Sequence, residues 1–459
     1  MKEMKVSDVV YEFIENMDAL NDSAPIVLAV VSTMASKLTS AHADYLEKYG
    51  QVTEQDEQKK VYSVPIERQG RVKKLRERSN SLRTSMTLIP RNFLVSYVSE
   101  FDNFLGSLLR VLYTSRPELL NDSSRQITYS DLLGFDSLND AKEHVLEKEI
   151  ESVLRKSHAD HFSILESKFN IQLRKGLDIW SDFIEITERR NLFVHANGVV
   201  SSQYLKICKQ NGYDTKSISL GKRLTVDIEY LSHAYKVIYE ISVKLAHVLW
   251  RKVFPSEIEN ADDSLNNVGF NLIAKGNNSL AANILEFSIS LPKHHNETIK
   301  RMMVINLAQA YLRSDKKDKC HALLKKFDWS ATGYEFKLAV AVLNEDNDNA
   351  AKLLRTVIVA GDLSEESIVE WPLFKEFRKT EQFLLAFKEL FNKDYAQQEE
   401  LIKEEFKNHM NNAFSIQDNP LEDAQNDNTN PEDVETIESA ADQLEQELED
   451  MDKLSIITH

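Results

Sequence analysis

The chain has 459 residues, 42% of them hydrophobic, with only 12 Gly and 9 Pro, which is enough length for two to four cores and too few turn formers for a turn-dense sheet protein. Its formal charge of -17 opposes a nucleic-acid partner only until the distribution is read. Between Asp418 and Asp452 lie 14 acidic residues and no Lys or Arg, so the tail holds most of the excess and the rest is nearly neutral.

Residues 1–60 read as an N-terminal helical segment: Val6, Val9, Val10, Phe13 and Met17 recur at helical spacing, and Ile26 to Leu38 form a second apolar stretch. The start Met1-Lys2-Glu3-Met4-Lys5 leads into mixed amphipathic sequence, not a secretory core, and Pro25 to Met34 is too short to span a bilayer. A cytoplasmic protein with no membrane partner is expected. Gly50 to Lys60 is polar and interrupts the pattern.

Residues 61–254 read as a helical bundle that begins with a basic segment, 66–91. There Arg68, Arg71, Lys73, Lys74, Arg76, Arg78, Arg83 and Arg91 stand against two Glu. This segment is either a surface that tracks an RNA backbone or a solvated helix or linker, and it lacks interleaved aromatics for base stacking. Phe93, Tyr97, Phe101, Phe104, Leu105 and Leu108 then mark a helix from Arg91 onward. Ser115 to Leu138, broken by Pro117 and Gly134, is expected to be mostly loop with short helices. Helical patterns resume from Asp140 through Phe169, and a buried amphipathic helix follows from about Gly176. Asn211-Gly212 and Gly221 bracket a loop before a closing helix from Val226 to Phe254.

Pro255 to Asp263 reads as a linker. Residues 264–392 show small and large residues at the spacing of tetratricopeptide-like helical repeats: Val268-Gly269, Leu272, Gly276, Ala281 and Leu285, then Leu307-Ala308, Tyr311, Cys320 and Leu324. A degenerate third copy surrounds Leu338-Ala339 and Ala350-Ala351, and Trp371 to Phe387 resembles a helical cap. Residues 393–459 form a charged helix through Met410 and an acidic tail, disordered from Gln417 to Glu435, with an amphipathic piece from Val434 to Met451. The tail has three readings: a solubiliser, an RNA mimic that restrains a basic cleft, or a dock for a basic partner.

The chemistry concentrates in Glu188-Arg189-Arg190-Asn191-Leu192-Phe193-Val194-His195-Ala196-Asn197-Gly198. The apolar stripes Ile179, Phe183, Ile186 and Trp180, Ile184 turn polar here, leading to Arg190 and, through Thr187, to Asn191 and His195. Arg190 and His195 are roughly 140° apart on a helix, whereas Asn191 and His195 stack one turn apart. Asn197-Gly198 is a stop signal, which puts His195 in the last turn, where the helix dipole favours imidazolium. The blander alternative pairs Arg190 with Glu185 or Glu188 and leaves His195 as a helix cap.

Arg190-Asn191, three residues and His195 resemble the Arg, polar residue, spacer and His signature of HEPN domains, and Val200-Ser201-Ser202-Gln203-Tyr204-Leu205 is similar to the sequence that follows it in bacterial members. The resemblance implies an all-helical domain that pairs about a two-fold to form a metal-independent endoribonuclease. By that resemblance Arg190 binds the scissile phosphate, Asn191 orients the site, and His195 handles the proton of the 2′-hydroxyl or the leaving 5′-oxygen. RNA is then the substrate, the RNA-binding candidates are Arg68, Arg71, Lys73, Lys74, Arg76 and Arg78, and the repeats take a protein partner or sensor ligand. Such pairings of repeats and nuclease resemble bacterial toxin and antiphage defence proteins. A non-catalytic adaptor that dimerises through the same bundle is the competing expectation.

Elsewhere chemistry is sparse. His158 and His161 sit three apart beside Asp160, but without a second ligand pair no metal site is assigned. His294-His295 is expected at the surface, and Cys208 and Cys320 share no ligand-like spacing and suit a reducing compartment. With no phosphate loop, dinucleotide fingerprint, nucleophile elbow or zinc-protease motif, no cofactor is expected. The fold class expected is all-α: helical segment and bundle, α-solenoid, then an acidic, partly disordered tail.

Overall fold

A computed structural model describes residues 4–55, 60–120, 128–395, 397 and 400. The protein is all-α; the one sheet among the described residues is a two-stranded antiparallel ribbon. The chain divides into two compact units at Leu249/Trp250.

The first unit opens with α1 (Val6–Tyr49). Its stripe of Val6, Val9, Val10, Phe13 and Met17 is buried as the spacing required. The two apolar stretches belong to one helix, because Pro25 sits on an exposed face where water can take over the carbonyl its missing N–H leaves unpaired. One 18-residue stretch of α1 is apolar enough to cross a membrane by length and composition, and α1 is the only such helix among the described residues. The polar interruption is the ribbon, β1 (Gln51–Gln55) against β2 (Lys60–Ser63).

The basic segment and the apolar run after it also prove continuous, forming α2 (Gln69–Ser115), which passes through Pro90. α2 packs along α1 on both sides of the proline, with Thr39 Oγ1 3.1 Å from Ser79 Oγ before it and Asn16 Nδ2 donating to Glu100 at 3.1 Å after it. Two short helical turns, Pro117–Leu120 and α3 (Tyr129–Leu133), flank residues 121–127. The bundle continues with α4 (Leu138–Leu154), α5 (His158–Phe169), α6 (Trp180–His195) and α7 (Ser202–Gln210), and α8 (Ile228–Val253) begins in it. Its core joins α1, α2 and α8: the Phe13 ring lies 4.9 Å from Phe104 and 6.4 Å from Tyr239, and Tyr235 donates to Asp18 at 2.6 Å.

In the second unit the stretch Pro255–Asp263 is helical, not a linker: a turn at Pro255–Glu257 runs into α9 (Ile258–Ala274). Glu257 accepts from Trp250 Nε1 at 2.7 Å and buried Asp262 from Arg251 at 2.5 Å, so charged residues that looked like linker fasten the helix start. Three helix pairs follow, α9 with α10 (Asn278–Ser290), α11 (Glu297–Arg313) with α12 (Lys317–Leu324), and α13 (Tyr334–Leu343) with α14 (Asn347–Ala360). The first helices of successive pairs also touch. Gly269 permits the close approach, since a Cβ there would stand 2.6 Å from Leu285. Beyond α15 (Glu365–Glu370), buried Phe374, Phe377, Phe383 and Phe387 gather around α16 (Glu381–Phe391). His295 is exposed as expected, but the His294 side chain is only 6% exposed and bonds Asp262 at 3.0 Å. The helix expected through Met410, the acidic stretch Gln417 to Glu435 and the amphipathic Val434 to Met451 lie outside the described residues, apart from the first positions of that helix.

Candidate functional site

The site is built on α6. The helix starts at Trp180, four residues later than the sequence pattern placed it, because Arg174 to Ile179 form turns capped by Glu166, which accepts from the amides of Leu173 and Arg174. Phe183, Ile184 and Ile186 bury its apolar face. Among them sits Glu185, 1% exposed, which accepts from Tyr204 at 2.6 Å, Tyr230 at 2.7 Å and Arg189 Nε at 2.7 Å. Burial, with the Glu185 charge adding to it, pushes both tyrosine hydroxyls well above their ordinary pKa. Glu185 thus partners Arg189, not Arg190, and this knot ties α6 to α7 and α8. It fixes the azimuth at which the next residues emerge.

One residue on, Arg190 faces α2 and α5. Its Nη2 donates to Asp102 Oδ2 at 2.7 Å and its Nη1 to Asn191 Oδ1 at 3.2 Å, while Asn191 Nδ2 donates to Glu188 Oε1 at 3.3 Å. The other oxygen of Asp102 lies 3.1 Å from His158 Nε2. Burial acts to raise the Asp102 pKa, but His158 and Arg190 hold it below the ordinary carboxylate value. Burial raises that of Glu188. His161, one turn along α5, packs its ring 5.1 Å from His158 and is fully buried. Neither of its ring nitrogens makes a hydrogen bond of good geometry. The carbonyls of Leu154 and Lys156 favour its proton weakly, yet burial, with His158 adding to it, lowers its pKa to about 4. An orphaned buried imidazole costs about 1–3 kcal/mol, so this one calls for an explanation.

Asp102 is the residue that sequence reasoning missed. Its partners are 56 and 88 positions away, so no local spacing reveals it. The one signal was a carboxylate inside the aromatic run of α2, one turn from both Val98 and Leu105.

His195 stands apart from this cluster. It is the last residue of α6, exposed, and has no hydrogen-bond or ion-pair partner among the described residues. The stop signal works as expected: Asn197 and Gly198 take φ of 49° and 77°, and Gly198 N–H returns to Leu192 O at 2.9 Å. On the helix Arg190, Asn191, Val194 and His195 share one side, within roughly 140°. Val194 lies between them, 51% exposed.

The basic segment reaches this helix end. Arg91 is buried, its guanidinium 4.8 Å over the Phe193 ring, and it donates to the Asn197 side chain at 3.0 Å. Arg91, Arg223, Arg83, Asn80, Thr84, Thr87, Leu88 and Asn197 line an open groove of about 580 Å³. Burial, together with Arg223, lowers the Arg91 pKa. Along α2, Lys73, Arg76, Asn80, Arg83 and Thr87 recur at three- and four-residue steps, so one stripe leads into the groove. Of the expected RNA-binding residues, Arg71, Lys73, Lys74, Arg76 and Arg78 are exposed on α2, whereas Arg68 stacks 4.0 Å over the Tyr49 ring. The structure therefore brings Arg190 and Asn191 together, leaves His195 on the same side of the helix end, and runs a basic stripe to that end.

No family model, curated protein or solved structure matches this chain.

Proposed function

We propose that this protein is a HEPN-type endoribonuclease that cleaves RNA by 2′-hydroxyl transesterification with no metal in the reaction. In this reading it is a cytoplasmic homodimer, regulated through its tetratricopeptide-like unit and serving as a toxin or antiphage effector. The observation that carries the proposal is the side of α6 shared by Arg190, Asn191 and His195, with an unpaired, exposed imidazole two residues before Asn197, which lines the arginine-rich groove.

The chemistry asks little more. The 2′-oxygen attacks the adjacent phosphorus, the bond to the 5′-oxygen breaks, and the products are a cyclic phosphate and a 5′-hydroxyl. His195, at the negative end of the helix dipole, suits the transfer of the proton between these oxygens. A guanidinium stabilises the crowded phosphate charge, the role given to Arg190, and the α2 stripe supplies backbone attraction.

One observation favours the adaptor reading instead: Arg190 already holds Asp102 at 2.7 Å, so a phosphate must compete with a carboxylate for it. A non-catalytic HEPN-like bundle that dimerises and binds protein partners would keep that ion pair as structure. Incubating the full chain with total RNA and EDTA, alone and with candidate activators, separates the two. Cleavage lost on His195→Ala supports the nuclease, and a folded wild type that cuts nothing supports the adaptor.

A further inference from the structure

We propose that Asp102, His158 and His161 form a binding site for one divalent transition-metal ion of the zinc type, a structural clip between α2 and α5. One ligand atom from each of the three residues falls in a group whose members all lie within 4.8 Å of one another. The separation of His158 Nε2 from Asp102 Oδ1, 3.1 Å, is close to the roughly 3.3 Å between ligands on a tetrahedral ion with bonds of about 2.0 Å. His158 and His161 stand one turn apart on α5, so both rings project to one side of it.

His161 is the independent observation. It is wholly buried and neither of its nitrogens makes a hydrogen bond of good geometry, whereas the other buried imidazoles among the described residues, His158 and His247, each have one through a ring nitrogen. A metal ion would give the His161 ring the partner it lacks. The charges nearby are Asp102 and Glu188 against Arg190, so an added cation meets a net negative surrounding. Two imidazoles and one carboxylate select zinc, cobalt or nickel over magnesium or calcium. Oδ2 of Asp102 holds Arg190 at 2.7 Å without any ion, so the arginine keeps its partner with or without the metal, and the ion would touch no substrate.

The test uses the full chain, stripped with chelator, loaded with excess zinc chloride and passed over a desalting column. We expect one zinc per chain and a raised Tm for wild type, as binding to the native state requires. His161→Gln is expected to lose at least nine-tenths of the bound zinc and the Tm rise, while His233→Gln, an exposed histidine paired with Asp182, keeps both. Wild type that retains no stoichiometric zinc overturns the proposal whatever the variants do, and so does His161→Gln that binds as wild type does. The readout is metal content and Tm, so its failure leaves the nuclease reading standing, and failure to cleave RNA leaves the metal site standing.

Discussion

Glu185→Ala should unfold the first unit far more easily than its single missing carboxylate suggests. The side chain is 2% exposed and accepts three hydrogen bonds, so its removal leaves the Arg189 guanidinium, itself 12% exposed, with no carboxylate and only the Thr225 carbonyl at 3.1 Å, and leaves two tyrosine hydroxyls without acceptors. Breaking a buried ion pair from one side costs about 3–5 kcal/mol. In a unit of this size each kcal/mol is worth about 2–4 °C, which makes the expected loss roughly 6–20 °C in Tm. Glu185→Gln keeps an acceptor for the tyrosines but not the charge facing Arg189, and should fall between alanine and wild type. Differential scanning calorimetry of the three proteins in one buffer decides. A change below about 1 kcal/mol for Glu185→Ala would show that Arg189 finds another partner, and that the knot does not set the azimuth of α6.

Gly198→Ala should destabilise by about 1–3 kcal/mol in urea unfolding, because φ is +77° and the new Cβ would lie 2.8 Å from the Phe193 ring; an unchanged midpoint would refute the need for glycine. The pair of His233 with Asp182 should give stability a small pH dependence. The hydrogen bond from His233 to Asp182 raises the histidine pKa above 6.5, so its contribution is complete below that value and fades as pH rises through the folded-state pKa. The pair is half-exposed, so the effect is at most about 1 kcal/mol. His233→Gln should therefore lower Tm at pH 5 and not at pH 9, and an equal effect at both would contradict the pairing.

Periodicity made the all-α class, the buried stripe of α1, the aromatic stripe of α2 and the end of α6 legible, because burial on one face and a left-handed Asn-Gly both leave local marks. Helix length did not read as well. The stretches before and after Pro25, and before and after Pro90, read as separate, yet exposure of the first proline and the packing of α1 along α2 keep both helices whole. The ribbon at Gln51–Ser63 had no Asn-Gly or clean alternation to announce it. At the site, the Arg190, Asn191 and His195 order showed in sequence, but the partner of Arg190 did not. Glu185 and Glu188 were the near choices, whereas Asp102 arrives from α2 through tertiary packing alone. His294 was misread for the same reason, since its buried partner Asp262 lies 32 residues away.

The most direct test of the central claim is the rate of RNA cleavage in EDTA by wild type, His195→Ala and Arg190→Ala, with the product ends identified. Cyclic phosphate ends and a loss of about 10²–10⁴-fold for His195→Ala are expected. Because His195 is exposed and unpaired, that variant should keep its Tm. Cleavage that persists at the wild-type rate in His195→Ala, or that leaves 3′-hydroxyl ends, would contradict that claim.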